Sequence, residues 1–188
     1  MSNRDDNGLL TAIASGDEKA MRVFFDHYAN DVYRYVMARC SDTTLAGDIL
    51  NAVMLDVWRQ ADRFQGRSKV TTWLIGMARH KLIDHYRRER RHEHSELDEH
   101  VTDPQPVSEQ VVAAARHADW VKHCIEGLGD LQRDIVHLAF YSDLAYPEIA
   151  EVVECPVGTV KSRMFHAREA LRRCLERLAG EDAAHAFT

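Results

Sequence analysis

Two prolines, Pro147 and Pro156, constrain the folding of this chain more than any other feature. Pro147 suits the first turn of a helix, where a missing N–H costs nothing. Pro156 biases the preceding Cys155 away from helix, so Glu154-Cys155-Pro156 ends whatever Pro147 begins. Between them, Ile149, Ala150 and Val153 give a short helix an inner face, and the small Ala150 lets another helix cross closely. Beyond Pro156, Val160, Met164, Ala167 and Leu171 recur at helical spacing and leave Lys161, Ser162, Arg163, His166 and Arg168 on other faces. A short helix, a tight turn and a longer basic helix form the geometry that lays a second helix in the DNA major groove. An ordinary helical hairpin with a solvated basic face shares the pattern.

The rest of the chain is helical in period and shows no alternating strand. Leu9 and Ile13, then Met21, Phe24, Phe25, Tyr28, Val32, Tyr35 and Val36, predict two helices, with the break at Ser15-Gly16-Asp17 and Asp17 as a cap. Leu45, Ile49, Val53 and Val57 form one row, beside Leu50, Met54 and Trp58. A further helix starts near Thr71 or Thr72 and carries Leu74, Ala78, Leu82 and Tyr86 on one side, with Arg79, Lys81 and Arg87 elsewhere. Residues 92–110 are acidic, contain Pro104 and Pro106, and have too few large apolar residues for a core. Periodicity resumes through Val112, Ala115, Trp120, Ile125, Leu131, Ile135 and Leu138. The expected fold is therefore all-α. Two small helical domains, at 8–91 and 116–179, are joined by an acidic flexible linker at 92–115, and the second holds the helix-turn-helix.

The chain's formal charge of −6 opposes nucleic-acid binding as a sum, but its distribution does not. Residues 66–91 carry +6, residues 92–119 carry −6 and residues 156–178 carry +4. Basic segments neutralise phosphates locally whatever the total. The four cysteines, Cys40, Cys124, Cys155 and Cys174, form no CxxC pair and are read as four free thiols in a reducing compartment. His92-Glu93-His94 raises a metal idea, but no second ligand pair stands at a usual spacing, and no metal or other cofactor is expected. No apolar run reaches the roughly 18–20 residues of a membrane span, and the N-terminus lacks the order of a secretory signal. A cytoplasmic location without membrane insertion is the expectation.

The segment Pro156-Val-Gly-Thr-Val-Lys-Ser-Arg-Met-Phe-His-Ala-Arg-Glu-Ala-Leu closely resembles the recognition helix of the extracytoplasmic-function sigma factors, two-domain members of the bacterial sigma-70 family. Leu131-Gln-Arg-Asp-Ile-Val-His-Leu-Ala-Phe and Ala145-Tyr-Pro-Glu-Ile-Ala-Glu fit the same domain. Asp48-Ile-Leu-Asn-Ala-Val-Met-Leu-Asp-Val-Trp-Arg-Gln-Ala-Asp-Arg-Phe resembles the family's polymerase-binding helix. Thr72-Trp-Leu-Ile-Gly-Met-Ala-Arg-His-Lys-Leu-Ile-Asp-His-Tyr-Arg-Arg resembles its −10 recognition segment. Three motifs in register, over nearly the whole chain, are more specific than any one.

The resemblance implies a protein that is not an enzyme. Such a protein directs core RNA polymerase to promoter DNA and is controlled by an anti-sigma factor. For the −35 element it implies Thr159, Lys161, Ser162, Arg163, His166 and Arg168. Arg and Lys suit guanine edges or phosphates, while Thr159 is equally a helix-start residue. For the −10 element it implies Arg67, Lys69, Arg79, His80, Arg87 and Arg88, and for polymerase docking Asp48, Asn51, Leu55 and Trp58. The chain departs from the family pattern at three places. His166 stands where arginine is common, His80 where asparagine is common, and Asn51-Ala52 where Gln-Glu is usual. An imidazole cannot make the forked bond of a guanidinium, so His166 implies an altered −35 preference. At His80, histidine hydrogen-bonds and stacks on an unstacked base differently from asparagine, which implies an altered −10 preference. Trp73 could stack on DNA or pack in the core. Two other readings are a stand-alone helix-turn-helix regulator, which leaves the first domain unexplained, and a metal-dependent enzyme using His85, His92 and His94.

Overall fold

A computed structural model describes the backbone of residues 3–40, 42–92 and 109–185 and the side chains of residues 6–40, 42–89 and 117–180. Among the described residues every regular element is helical. The chain divides into two compact units, one of Met1–His94 with His137–Val157 and one of Ser95–Val136 with Gly158–Thr188. In chain order the helices are α1 (Asn3–Ala14), α2 (Glu18–Cys40), α3 (Thr43–Gln60), α4 (Val70–His92), α5 (Glu109–Glu126), α6 (Asp130–Phe140), α7 (Tyr146–Val152) and α8 (Val157–His185). A short 3-10 turn, Ala61–Arg63, follows α3. The backbone of α5 starts inside the span expected to be a linker.

In the first unit, α2 is the central helix, packed against α1, α3 and α4. Its buried residues Phe24, Tyr28, Val32 and Val36 repeat every four positions, with Tyr35 beside them, so one stripe faces the core. Ile49, Val53, Met54 and Val57 of α3, and Leu74, Ile75, Ala78 and Leu82 of α4, are buried with them. The start signals are local. The Asp17 carboxylate accepts from the N–H groups of Lys19 (2.8 Å) and Ala20 (3.1 Å) at the start of α2. Asp42 does the same for Thr44 and Leu45 at the start of α3, satisfying N–H groups that a helix leaves orphaned. Lys81 of α4 pairs with Asp56 of α3 at 2.5 Å. Trp73 is half-buried, with its ring 5.1 Å from that of Phe64.

The short helix α7 lies in the first unit, against α4. Pro147 occupies its first turn. Ile149 and Ala150 are buried as the pattern predicts, but the third buried residue is Val152, and Val153 is only half-buried. The helix has already ended there. Val153 is its C-cap, Glu154 takes a left-handed conformation (φ 53°), and the Cys155 N–H reaches back to the Ala150 carbonyl at 3.1 Å. With the Glu154 N–H on the Glu151 carbonyl, this is a Schellman termination. The break comes from that turn as well as from Pro156.

In the second unit the reading of four free thiols is corrected. Cys124 of α5 and Cys174 of α8 form a disulfide, with their Cα atoms 5.8 Å apart. Cys40 and Cys155 lie outside the disulfide. A sequence separation of fifty between the two bonded cysteines hides the pairing from any local reading, because proximity is set by how the helices fold back. Arg133 secures the end of α5 by donating to the carbonyls of Ile125 (3.2 Å), Leu128 (2.9 Å) and Glu126.

Candidate nucleic-acid interface

The first half of α8 presents the basic surface. Val160, Met164 and Ala167 are buried, while Lys161, Ser162, His166 and Arg168 are exposed and Thr159 and Arg163 are half-buried. The Ser162 hydroxyl donates back to the Thr159 carbonyl at 3.1 Å, a local bond that an incoming acceptor could replace. Leu171, predicted to face inward, is half-buried. Phe165 is 63% exposed beside His166, with ring centroids 5.5 Å apart. Sequence reasoning misses this residue, although its absence from the 160/164/167 row is the available signal. Farther along, Arg172 pairs with Glu169 (3.1 Å) and Glu176 (2.8 Å). These pairs hold the Glu169 carboxyl below its usual range and the Arg172 guanidinium above its own. The i,i+3 and i,i+4 spacing of those charges announces that use.

On α4 and the loop before it, Arg67, Lys69, His80, Arg87 and Arg88 are exposed and Arg79 is half-buried. Two of these residues meet α7. Lys69 Nζ lies 2.9 Å from Glu148 Oε1, and the Thr72 hydroxyl donates to the same oxygen at 3.5 Å. His80 Nε2 lies 3.5 Å from Glu154 Oε1. The other oxygen of Glu148 accepts the Ala145 N–H at 2.8 Å, the glutamate half of a capping box. Burial pushes the Glu148 carboxyl up, but Lys69, the Ala145 N–H and Thr72 together outweigh it and hold the group below its ordinary value. Arg88 donates to the Asp84 carbonyl one turn back.

On α3, Asp48, Asn51, Leu55 and Trp58 recur at three- and four-residue spacing and so form one stripe. Asp48 and Asn51 are exposed, Leu55 is 46% exposed and Trp58 is half-buried. Among the described residues no three His, Cys, Asp or Glu side chains gather as a metal site. His85 instead lies 3.1 Å from Glu89 on its own helix, and the side chains of His92 and His94 lie outside the described residues. Among the described residues no helix is long and apolar enough to cross a membrane.

Comparison with known proteins gives these surfaces a context. A model of sigma-70 region 2 matches residues 24–92, and one of sigma-70 region 4 matches residues 118–171. The chain is 32% identical over 176 residues to the ECF RNA polymerase sigma factor SigK of Mycobacterium tuberculosis (strain ATCC 25618 / H37Rv), covering 92% of this chain and 94% of the relative. It is 28% identical over 173 residues to the SigK of Mycolicibacterium vanbaalenii, covering 90% and 88%. In fold it is similar to CnrH, solved in complex with the cytosolic domain of CnrY. The TM-score is 0.68 at 20% identity, over 92% of this chain and 97% of that one. It is also similar to RpoE of Bartonella quintana, solved with the anti-sigma factor NepR. There the TM-score is 0.67 at 20% identity, over 84% and 98%.

Proposed function

The chain belongs to the extracytoplasmic-function sigma factors of RNA polymerase, and from that membership we propose how its surfaces divide the work. The α3 stripe of Asp48, Asn51, Leu55 and Trp58 docks core polymerase. The first half of α8 reads the −35 element. Lys161, Arg163 and Arg168 engage guanine edges or phosphates, and Thr159, Ser162 and His166 lie within the same turns. The loop before α4 and α4 itself, through Arg67, Lys69, Arg79, His80, Arg87 and Arg88, hold the −10 element as single strand. In functional terms residues 8–91 form the polymerase and −10 half, 116–179 the −35 half, and 92–115 the acidic connection. Polymerase supplies the chemistry, so the chain itself carries no catalytic group. Its work lies in the cytoplasm, and its control is sequestration by an anti-sigma factor, the kind of partner with which RpoE of Bartonella quintana was solved.

The observation that carries this division is the sorting of α8. Val160, Met164 and Ala167 are buried while Lys161, Ser162, His166 and Arg168 stay in solvent, on a helix that directly follows a short helix and a tight turn. Run-off transcription on genomic fragments with core polymerase tests it. Transcripts should start at discrete sites only when both proteins are present. Tight, specific promoter binding in a gel shift without polymerase would instead identify a stand-alone regulator. His80→Asn should alter the −10 sequence profile, and an unchanged profile would remove His80 from the base-reading set.

A further inference from the structure

We propose that α7 masks the −10 face of α4 in the free protein, with its carboxylates occupying the donors that the DNA phosphates and bases need. The inference rests on reading α4 as the −10 face. Two of the six residues assigned to that element are engaged from the same side, Lys69 by Glu148 at 2.9 Å and His80 by Glu154 at 3.5 Å. Thr72, at the start of α4, gives its hydroxyl to the same Glu148 oxygen. Between these anchors runs a cleft of about 260 Å³, lined by Trp73, Gly76, Met77 and His80 on α4 and by Glu151 and Glu154 from the α7 side. Glu148 and Glu151 of α7 and Glu154 just past its end all lie at this cleft or its anchors, so the α7 segment turns an acidic edge toward a face assigned to a polyanion.

The chemistry of the contact is that of a phosphate surrogate. The Glu148 carboxylate accepts from the Lys69 ammonium at 2.9 Å, a distance a phosphate oxygen would take, with the Thr72 hydroxyl farther off at 3.5 Å. The carboxylate's charge also repels a phosphate approaching the same donors. The left-handed position that ends α7 is usually a glycine's. Here a glutamate holds it at φ 53°, a conformation that costs energy in most side chains, and its carboxylate meets His80. The mask must be weak enough for DNA to displace. Glu148 is 15% exposed, but Lys69, His80 and Glu154 are largely in solvent, and exposed ion pairs shift an equilibrium by only about two- to fivefold each. Closure of this size raises the apparent dissociation constant for single-stranded DNA in inverse proportion to the unmasked fraction.

The experiment uses the full chain without polymerase and compares Glu148→Gln/Glu154→Gln with the parent. Glutamine at 148 keeps an oxygen for the Ala145 N–H, so the start of α7 is preserved. Two readouts are taken in a Trp58→Phe/Trp120→Phe background, where Trp73 is the sole tryptophan. Acrylamide quenching of Trp73 reports whether the cleft opens. Anisotropy of a fluorescein-labelled thymidine strand of about 16 nucleotides reports DNA affinity. Glu18→Gln/Asp119→Asn removes the same charge at two exposed positions off the cleft. The expected result is stronger quenching and about fivefold tighter DNA binding in the α7 variant, with neither change in the control. Unchanged quenching would overturn the mask and leave the promoter reading standing. Stronger quenching without tighter binding would show that α4 is not the DNA face, and the −10 assignment would fall with the mask. Equal tightening in the control would reduce the effect to net charge and overturn the mask.

Discussion

Glu148 answers to three donors at once: the Ala145 N–H, the Lys69 ammonium and the Thr72 hydroxyl. Together they outweigh burial and lower its pKa, so the folded state binds that proton less readily than the unfolded chain. The stability it contributes is fully present above the ordinary glutamate value of about 4.3 and is lost as pH falls through the lower folded value. Thermal melts of the parent and Glu148→Gln should therefore differ most near neutrality, and the gap should close on acidification below about pH 4. A gap independent of pH would remove the charge from the account. Arg133 is another residue with several partners, the carbonyls of Ile125, Glu126 and Leu128 at and just past the end of α5 and the Asp130 carboxylate at 3.9 Å. Arg133→Ala strands those acceptors, and charged hydrogen bonds of this kind contribute about 1.5–3 kcal/mol. Denaturant unfolding should show a loss of that order, with lysine, which lacks the planar fork, recovering only part of it.

At the scale of elements, the helix starts follow local chemistry. Asp17 satisfies two orphan N–H groups of α2, so Asp17→Ala should cost about 1 kcal/mol in chemical denaturation. For α8 the expectation concerns binding. Lys161→Ala or Arg168→Ala should weaken the polymerase-bound complex at a −35 element, and a side chain that neutralises one phosphate should, when removed, reduce the salt slope by about one. His166→Arg should shift −35 preference toward guanine, read by selection from randomised −35 sequences, because guanidinium forms the bidentate bond that imidazole cannot. An unchanged profile would place His166 outside the base contacts. Helix α7 shows how an element can be legible while its partner is not. Pro147 and the Ile149-Ala150 pair announce the helix, but nothing in the segment tells that Glu148 meets Lys69.

At the scale of the whole molecule, the Cys124–Cys174 bond ties α5 to α8. It closes a loop fifty residues apart in sequence, and a cross-link of that kind restricts the unfolded chain by about 2–4 kcal/mol. Cys124→Ala/Cys174→Ala should lower the melting temperature of the oxidised protein, and dithiothreitol should lower the parent to the same level. Cys40→Ser/Cys155→Ser should leave that response to reductant intact. A parent that melts alike with and without reductant would mean that the bond contributes no stability.

The features readable in the residues alone were those carried by near neighbours in sequence. Apolar spacing along α2, α3 and α4 set which helix faces are buried, Asp17 marked a start, and the basic stripe of α8 stood out because its inward row is regular. The motif match across both halves added the family. Long-range pairings were not readable. Thr72 and Glu148 are seventy-six residues apart, and Cys124 and Cys174 fifty. Glutamate and lysine are solvated residues by default, and a cysteine carries no mark of its mate. Periodicity encodes which face turns inward, a property of one helix. Which carboxylate meets which cation depends on how two helices cross, and that follows from packing over many side chains at once. For this reason Pro147 and Pro156 could foretell a helix, a turn and a basic helix, while the folded chain alone shows the acidic edge of α7 lying against α4.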